Sequence, residues 1–280
     1  VVECSNCRHL YLNPRPEIGN IHKIYPEEYA TYERHFGREG SILTRIKDFV
    51  LMSRFKRVTK YLPKQPSILD IGCGDGAFLL ALRRYYPKAS LSGLDFKFGY
   101  GVKKDLENAG IEIIEGTLED ASLKSGSYDL ITANQIIEHV WDVPLVLKTC
   151  NSALTVGGIL SLETPNPDGW DRNFFRKKCW GSYYMPRHLN LFSKKHLETI
   201  LNHENFDVKE TRSLLAPPCW IYSCQFLLHE KGMPRISRVL FSDTNVFWLA
   251  FFAFVDTVAR FFQLETSNQK IIAEKRRTNN

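Results

Sequence analysis

The stretch that most constrains this chain is Asp70-Ile71-Gly72-Cys73-Gly74-Asp75-Gly76, directly after the short apolar run Ser67 to Ile71. Glycines at alternate positions let the backbone turn sharply and approach a ligand closely, while the amides that open the following helix face it. A strand, a glycine loop and a helix in that order belong to a sheet whose strands are joined by crossover helices. Helical spacing runs from about Ala77 to Tyr86, and a second helix ends at Ala109 before Gly110. Further strands are predicted at Ala89 to Leu94, Ile111 to Ile114, Tyr128 to Ala133, Ile159 to Glu163, Phe206 to Leu214 and Gln269 to Ala273. Together with Ser67 to Ile71 they predict an α/β fold, a doubly wound and mostly parallel sheet of seven strands.

The loop alone leaves two cofactor classes open. Gly72, Gly74 and Ala77 also satisfy the dinucleotide pattern G-x-G-x-x-A, and Asp95 ends the next strand about 20 residues on, where a carboxylate accepts from ribose hydroxyls. Both nicotinamide and adenosyl cofactors carry a ribose, so Asp95 does not separate them. Asp70 does: a carboxylate at the mouth of the loop suits a cationic amino-acid group better than a pyrophosphate. Gly116-Thr117-Leu118-Glu119-Asp120 follows the third strand, where an adenine would lie. Tyr128 to Ile131 leads into Asn134-Gln135-Ile136-Ile137-Glu138-His139-Val140, and a later helix ends before Gly157-Gly158.

In order and spacing these stretches resemble the class I S-adenosylmethionine (SAM)-dependent methyltransferases. The resemblance is to the subgroup with LDIGCGxG, EHVxD, GGxLxxxTPN and a later P-x-H-x-x-x-F-S, which stand here at Leu69 to Gly76, Glu138 to Asp142, Gly157 to Asn166 and Pro186 to Ser193. It implies a Rossmann-like fold with helical insertions and a SAM site. Gly72, Cys73, Gly74 and Gly76 would pass beneath the methionine and ribose, with Asp70 at the loop's mouth. Asp95 would hold the ribose diol, and Phe96, Thr117 and Leu118 would meet the adenine. Asn134 and Gln135 would line the methionine end. Thr117 departs from the aspartate common at its position.

Glu138-His139 is the sharpest catalytic candidate. Methyl transfer from a sulphonium is an in-line displacement that depends on positioning, and a hydroxyl acceptor must also lose its proton, a task suited to histidine. Quinone-pathway and small-RNA 2′-O-methyltransferases, which this region resembles, carry an acid three residues before the Glu-His pair and a later histidine, a set that can hold a divalent cation. Here Gln135 replaces the acid and His188 fits the later histidine. The loss of a carboxylate weakens a hard-cation site, so the expectation is catalysis by His139, Glu138 and His188 with no metal. A purely local role for Glu138 and His139 and a metal site at the three residues are the alternatives.

Composition limits the partners. The net charge of +6 is spread over short clusters such as Arg83-Arg84 and Lys103-Lys104, and not gathered into an aromatic-studded stripe, so a small-molecule acceptor is expected and nucleic acid is not. Seven cysteines, an odd number at irregular spacing, and no signal peptide point to a reducing, cytoplasmic setting. Cys4-x-x-Cys7 precedes Asn13-Pro14-Arg15-Pro16, and Tyr25 to Tyr29 follows; related methyltransferases carry a zinc ribbon of two such knuckles before this stretch, so either the first knuckle lies upstream of Val1 or the element has decayed. Two thiolates do not make a structural zinc site.

The expected layout is an N-terminal remnant and helical flap over residues 1–62, then a methyltransferase domain over 63–280. The flap includes a helix from Ser41 to Leu62, and Tyr29 and Tyr32 are assigned either to a cover on the cofactor or to plain packing. Two insertions interrupt the sheet pattern. The first, 168–191, mixes Trp170, Phe174, Phe175, Trp180, Tyr183 and Tyr184 with Arg172, Arg176 and Arg187, which suits either an acceptor pocket or a packed lid. The second, 216–264, contains ten consecutive apolar residues, Val246 to Val255, too few to span a bilayer. A buried or subunit-contact helix, an acceptor pocket and membrane-surface contact through 246–262 are the three readings of it. The functional expectation is methyl transfer to a hydroxyl of a sugar, lipid-linked intermediate or phenol. An RNA or protein methyltransferase and a non-catalytic SAM-binding protein are the alternatives.

Overall fold

A computed structural model of the chain describes residues 1–20, 24, 49, 51–53, 55–175 and 178–277. It opens with two short strands, β1 (Val2–Glu3) and β2 (Leu10–Tyr11). The α/β layer follows as β3 (Ser67–Ile71), α1 (Ala77–Tyr85), β4 (Ser90–Asp95), α2 (Tyr100–Asn108), β5 (Glu112–Glu115), β6 (Tyr128–Asn134), α3 (Val143–Ala153) and β7 (Leu154–Pro165). Then come α4 (Trp170–Phe174), β8 (Asn190–Leu191), α5 (Lys194–His203), β9 (Phe206–Leu214), α6 (Pro217–Glu230), α7 (Pro234–Leu240), α8 (Val246–Phe261) and β10 (Asn268–Lys275).

Seven strands form one sheet in the order β5-β4-β3-β6-β7-β10-β9. Pairings from β5 to β7 are parallel, and β10 runs antiparallel between β7 and β9. Ile68 to Ile71 of β3 are all buried, as a strand covered on both faces requires. Leu79, Leu80 and Leu82 turn α1 onto one face, while Val146, Leu147 and Cys150 turn α3 onto the sheet elsewhere. Asp142, the last residue of the EHVxD stretch, caps α3: its carboxylate accepts from the Leu145 amide at 2.9 Å. The chain leaves β3 for β4 and β5 on one side and returns to β6 on the other. That reversal opens a crevice at the carboxyl ends of β3 and β6.

The predicted strands lie where expected, with β7 longer. It begins at Leu154 because a register irregularity opposite Tyr128 and Leu130 absorbs Gly157, whose φ is +78°. The predicted helix from Ser41 lies mainly outside the described residues; its described part is helical to Phe55 and tightens to a 3-10 turn at Thr59–Tyr61. Tyr29 and Tyr32 also lie outside the described residues. A second sheet, β1-β2-β8, was not anticipated: it pairs the N-terminal strands with Asn190–Leu191. Strands of two residues show too little alternation to be read from sequence.

Candidate functional site

A cavity of about 630 Å³ occupies the crevice. At one end stand Gly72, Gly74, Asp95, Phe96, Thr117, Leu118, Asn134 and Gln135, and at the other His139, Ser182, Tyr184, His188, Pro218 and Tyr222. The carboxyl ends of β3, β4 and β6 and the turn after β5 therefore converge on one end, and both insertions build the other.

Asp95 accepts from the Gly74 amide at 2.8 Å, so one carboxylate both braces the glycine loop and faces the cavity. Burial raises its pKa, against hydrogen bonds from the backbone of Gly74, Phe96 and Lys97. Thr117 has its hydroxyl committed locally, donating to Asp120 at 2.7 Å and accepting from the Asp120 amide. Gln135 adopts φ +57° and donates from Nε2 to Asn268 Oδ1 at 3.0 Å.

Three residues expected against the cofactor lie behind the cavity wall. Asp70 is 4% exposed and accepts from the Thr132 hydroxyl at 2.6 Å; burial raises its carboxyl to about 7. Sitting below the loop, it does not reach the mouth. Cys73 points into the core, where its sulphur packs so close to Gly93 that a Cβ there would stand 2.9 Å away. Gly76 faces α2, and a Cβ on it would meet Leu106 at 2.8 Å. Its φ of +68° and this close approach account for glycine.

At the other end Glu138, His139 and His188 come together, their ligating atoms all within 4.8 Å of one another. The imidazole rings meet edge to face with centroids 4.7 Å apart. His139 Nδ1 lies 3.0 Å from the Arg187 carbonyl and His188 Nδ1 lies 2.7 Å from the Ser182 carbonyl. A carbonyl only accepts, so both histidines are assigned the Nδ1–H tautomer, with the lone pair on Nε2. Glu138 is fully buried. One oxygen accepts from the Thr164 hydroxyl at 2.9 Å; the other, Oε1, has no hydrogen-bond partner and lies 3.9 Å from His188 Nε2. Burial drives the Glu138 carboxyl up to about 8, His139 down to about 4 and His188 down to about 3. Glu138 does not itself line the cavity; both histidines do.

The insertions behave differently from one another. Most aromatics of the first are packing: Trp180 is fully buried, and Trp170, Phe174 and Phe175 surround Trp220 of α6. Arg172 is bound to Tyr183 and the Pro167 carbonyl, Arg187 lies over Tyr184, and Arg176 lies outside the described residues. From the second insertion, α6 lines the cavity and α8 does not, which removes α8 as an acceptor pocket. Sequence reasoning missed Glu163 and Asn268. Both line the cavity, and Glu163 is paired with buried Lys270 at 3.0 Å. Their signal was positional, since Glu163 lies near the carboxyl end of β7 and Asn268 at the amino end of antiparallel β10, on the same edge of the sheet.

Comparison with known proteins agrees with this geometry. The profile described as "Methyltransferase domain" matches residues 45–211, and the chain belongs to that family, with the class I SAM-dependent methyltransferase fold. Among curated proteins it is similar to malonyl-(acyl-carrier protein) O-methyltransferase of Legionella pneumophila, 28% identical over 63% of this chain and 59% of that one. It is also similar to ubiquinone biosynthesis O-methyltransferase of Escherichia coli, 30% identical over 53% of this chain and 65% of that one. The chain thus spans about six-tenths of the length of these relatives. Among solved structures, a SAM-dependent methyltransferase from Archaeoglobus fulgidus superposes with TM-score 0.50 at 20% identity, covering 81% of this chain and 94% of that one. The (4+2)-cyclase SpnF superposes with TM-score 0.53 at 13% identity, covering 86% and 84%. A cyclase on the same fold shows that the fold alone does not decide the reaction.

Proposed function

We propose that this chain transfers the methyl group of SAM to a hydroxyl oxygen of a small-molecule acceptor. The observation that carries the reading is the two-ended cavity: a ribose-compatible carboxylate and glycine loop at one end, two neutral imidazoles at the other. The O-methyltransferase names of both curated relatives support oxygen as the acceptor atom. Asp95 would hold the ribose diol, Phe96 and Leu118 the adenine, and Asn134 and Gln135 the methionine end. His139 and His188 would stand beside the acceptor hydroxyl and take up its proton on Nε2. Titration calorimetry tests the first half: S-adenosylhomocysteine binds and NAD does not. Tritium transfer from labelled SAM to a panel of phenols, sugars and lipid-linked alcohols tests the second, and labelling confined to RNA or protein would overturn it.

The same cluster supports a second reading, with a divalent cation at Glu138, His139 and His188. The residues fit such an ion: two imidazoles held by backbone carbonyls, as metal-binding histidines are, and a buried carboxylate oxygen with no hydrogen-bond partner. The two imidazoles suit Zn²⁺ more than Ca²⁺, while the carboxylate is a ligand that Mn²⁺ also takes. Bound there, an ion would ease ionisation of the acceptor hydroxyl. It would also relieve a weakness of the base reading, since a histidine pushed down to about 4 draws a proton only feebly at neutral pH. Loss of turnover on chelation and recovery with Mn²⁺ or Zn²⁺ would select this reading. Indifference to chelator would select the base.

A further inference from the structure

Helix α8 turns a broad apolar face outward, away from the cavity. Phe247, Phe254, Phe261 and Phe262 are 66%, 66%, 81% and 68% exposed. At about 200 Å² for each ring, these four alone expose on the order of 500 Å², the size of the largest apolar patch on an ordinary monomer. With Val246, Phe251 and Val258 the apolar arc covers about 160° of the helix at 3.6 residues per turn.

The opposite stripe fixes this orientation. Phe252, Asp256 and Ala259 are buried, Phe252 stacks on Trp220 of α6 at 5.4 Å, and Asp256 accepts from Trp220 Nε1 at 2.8 Å and the Ala216 amide at 2.6 Å. Polar groups on and beside the arc are satisfied internally. Thr257 donates its hydroxyl to the Ala253 carbonyl and Trp248 its indole N–H to the Leu240 carbonyl, each at 2.7 Å. Helix α7 extends the face with Ile236, Val239 and Leu240, all exposed.

Helix α8 has no basic polar face of its own, the usual mark of an interfacial helix. Basic residues stand in the surrounding segments instead. Among the described side chains of residues 231–264, the exposed charges are Lys231, Arg235 and Arg260 against Asp243, whose carboxylate accepts from Tyr222. Arg235 lines the groove between α7 and α8 beside Ile236 and Trp248. A second copy meeting this face would bring three basic groups against one acid, Asp243, from each side, an excess of like charge that an anionic surface neutralises. The arc is also wider than the narrow seam of a helix pair. We infer that α7 and α8 form a docking face for a membrane surface rich in anionic lipid. The phenylalanines enter the acyl boundary, and Lys231, Arg235 and Arg260 meet the headgroup phosphates. Among the described residues no helix is long and apolar enough to cross a membrane, so the contact lies at the interface. Because α6 both carries α8 and lines the acceptor end of the cavity, docking would set that end one helix away from the lipid.

Co-sedimentation of the full chain with vesicles tests this without a methyl acceptor. The chain should pellet with phosphatidylcholine vesicles containing phosphatidylglycerol, and much less with phosphatidylcholine alone or at high salt. The double variant Phe254→Asp/Phe261→Asp should stay in the supernatant while binding S-adenosylhomocysteine normally, which shows that it has folded. Should it misfold, Arg235→Gln provides the measure: it should lower vesicle affinity about fivefold, as expected for one basic residue at an anionic surface. Lys104→Gln, on the exposed side of α2, should not. Failure to pellet with anionic vesicles, or an equal loss from Lys104→Gln, would overturn the inference. So would a wild-type dimer that the double variant splits, since the face would then belong to a second copy.

Discussion

Glu138→Gln isolates the charge state of the buried cluster. The carboxyl has no exposure to solvent, and its pKa is raised from an ordinary 4.5 to about 8, chiefly by burial. Between those values the unfolded chain has released this proton and the folded chain has kept it. Unfolding therefore releases a proton, and stability falls as pH rises through that window. At about 1.4 kcal/mol per pKa unit, the loss across the whole window is on the order of 3–5 kcal/mol. His139 and His188 act in the opposite sense. Held neutral when folded, they cost stability as pH falls below about 6.5, the ordinary histidine value, towards their lowered ones. Both histidines remain in the variant, so the difference between wild type and Glu138→Gln reports Glu138. Glutamine keeps an oxygen for the Thr164 hydroxyl and carries no charge. Urea unfolding followed by tryptophan fluorescence, with chelator present, should find the two proteins nearly equal at pH 5. At pH 8 the variant should be the more stable by a few kcal/mol. Parallel pH dependences would refute the reasoning and place the carboxyl in a solvated setting. If the cluster takes an ion, adding Mn²⁺ or Zn²⁺ should stabilise the wild type selectively, with proton release on binding below pH 8.

Asp95→Ala should weaken S-adenosylhomocysteine binding by about 1.5–3 kcal/mol in calorimetry, the scale of a lost hydrogen bond to a charged group; Asp95→Asn should restore part of it, because an amide oxygen can still accept from Gly74. His139→Ala should lower turnover about 10²–10⁴-fold and leave cofactor affinity nearly intact, as read from initial rates and calorimetry on the same sample. Gly181→Ala should lower stability by about 1–3 kcal/mol in thermal unfolding, because its Cβ would stand 2.2 Å from the Cys219 carbonyl oxygen.

What could be read from the sequence was whatever local chemistry decides. Gly72 and Gly74 announce a left-handed turn, Asp95 ends a strand at a predictable spacing, and the seven strands of the main sheet show as apolar runs between helical ones. What could not be read is the direction a side chain takes once its strand is packed. Asp70 has the residue type and position of a ligand-facing carboxylate, yet Thr132 on the neighbouring strand draws it inward. Cys73 follows the space that Gly93 leaves, a contact 20 residues distant in the chain. The gathering of Glu138 and His139 with His188 was legible only through a family resemblance, because no local pattern brings residues 50 apart to within 4.8 Å. The aromatics at 168–191 look alike in sequence. Trp180 became core because later segments supply Cys219 to pack on it and Ser267 to accept its indole N–H, while Tyr184 became cavity wall.

The N-terminal residues acquire a structural reason that their cysteine pattern did not supply. Leu12 donates to the Leu189 carbonyl at 2.9 Å, and β2 pairs with β8, so the chain's first strands hold the segment just after His188. The amides of Leu189 and Asn190 both donate to the Glu138 carbonyl, at 2.8 and 3.1 Å. His188 is thus tied by backbone to the residue whose carboxylate it faces. On the other flank, Arg15 donates to the Trp141 carbonyl and the Trp141 indole to the Pro16 carbonyl, at 3.3 and 3.1 Å. These bonds brace the turn that carries His139. The Asn13-Pro14-Arg15-Pro16 stretch and the β1-β2 pair therefore clamp the acceptor end from both sides. The cluster is drawn from two distant parts of the chain and braced by a third, and neither of its imidazoles is positioned by its own strand or helix alone. The Leu189 and Asn190 bonds to the Glu138 carbonyl are backbone bonds, which substitution of the Glu138 or His139 side chain leaves in place. That is why the single-residue variants at Glu138 and His139 can be read as changes in chemistry and not as collapse of the site.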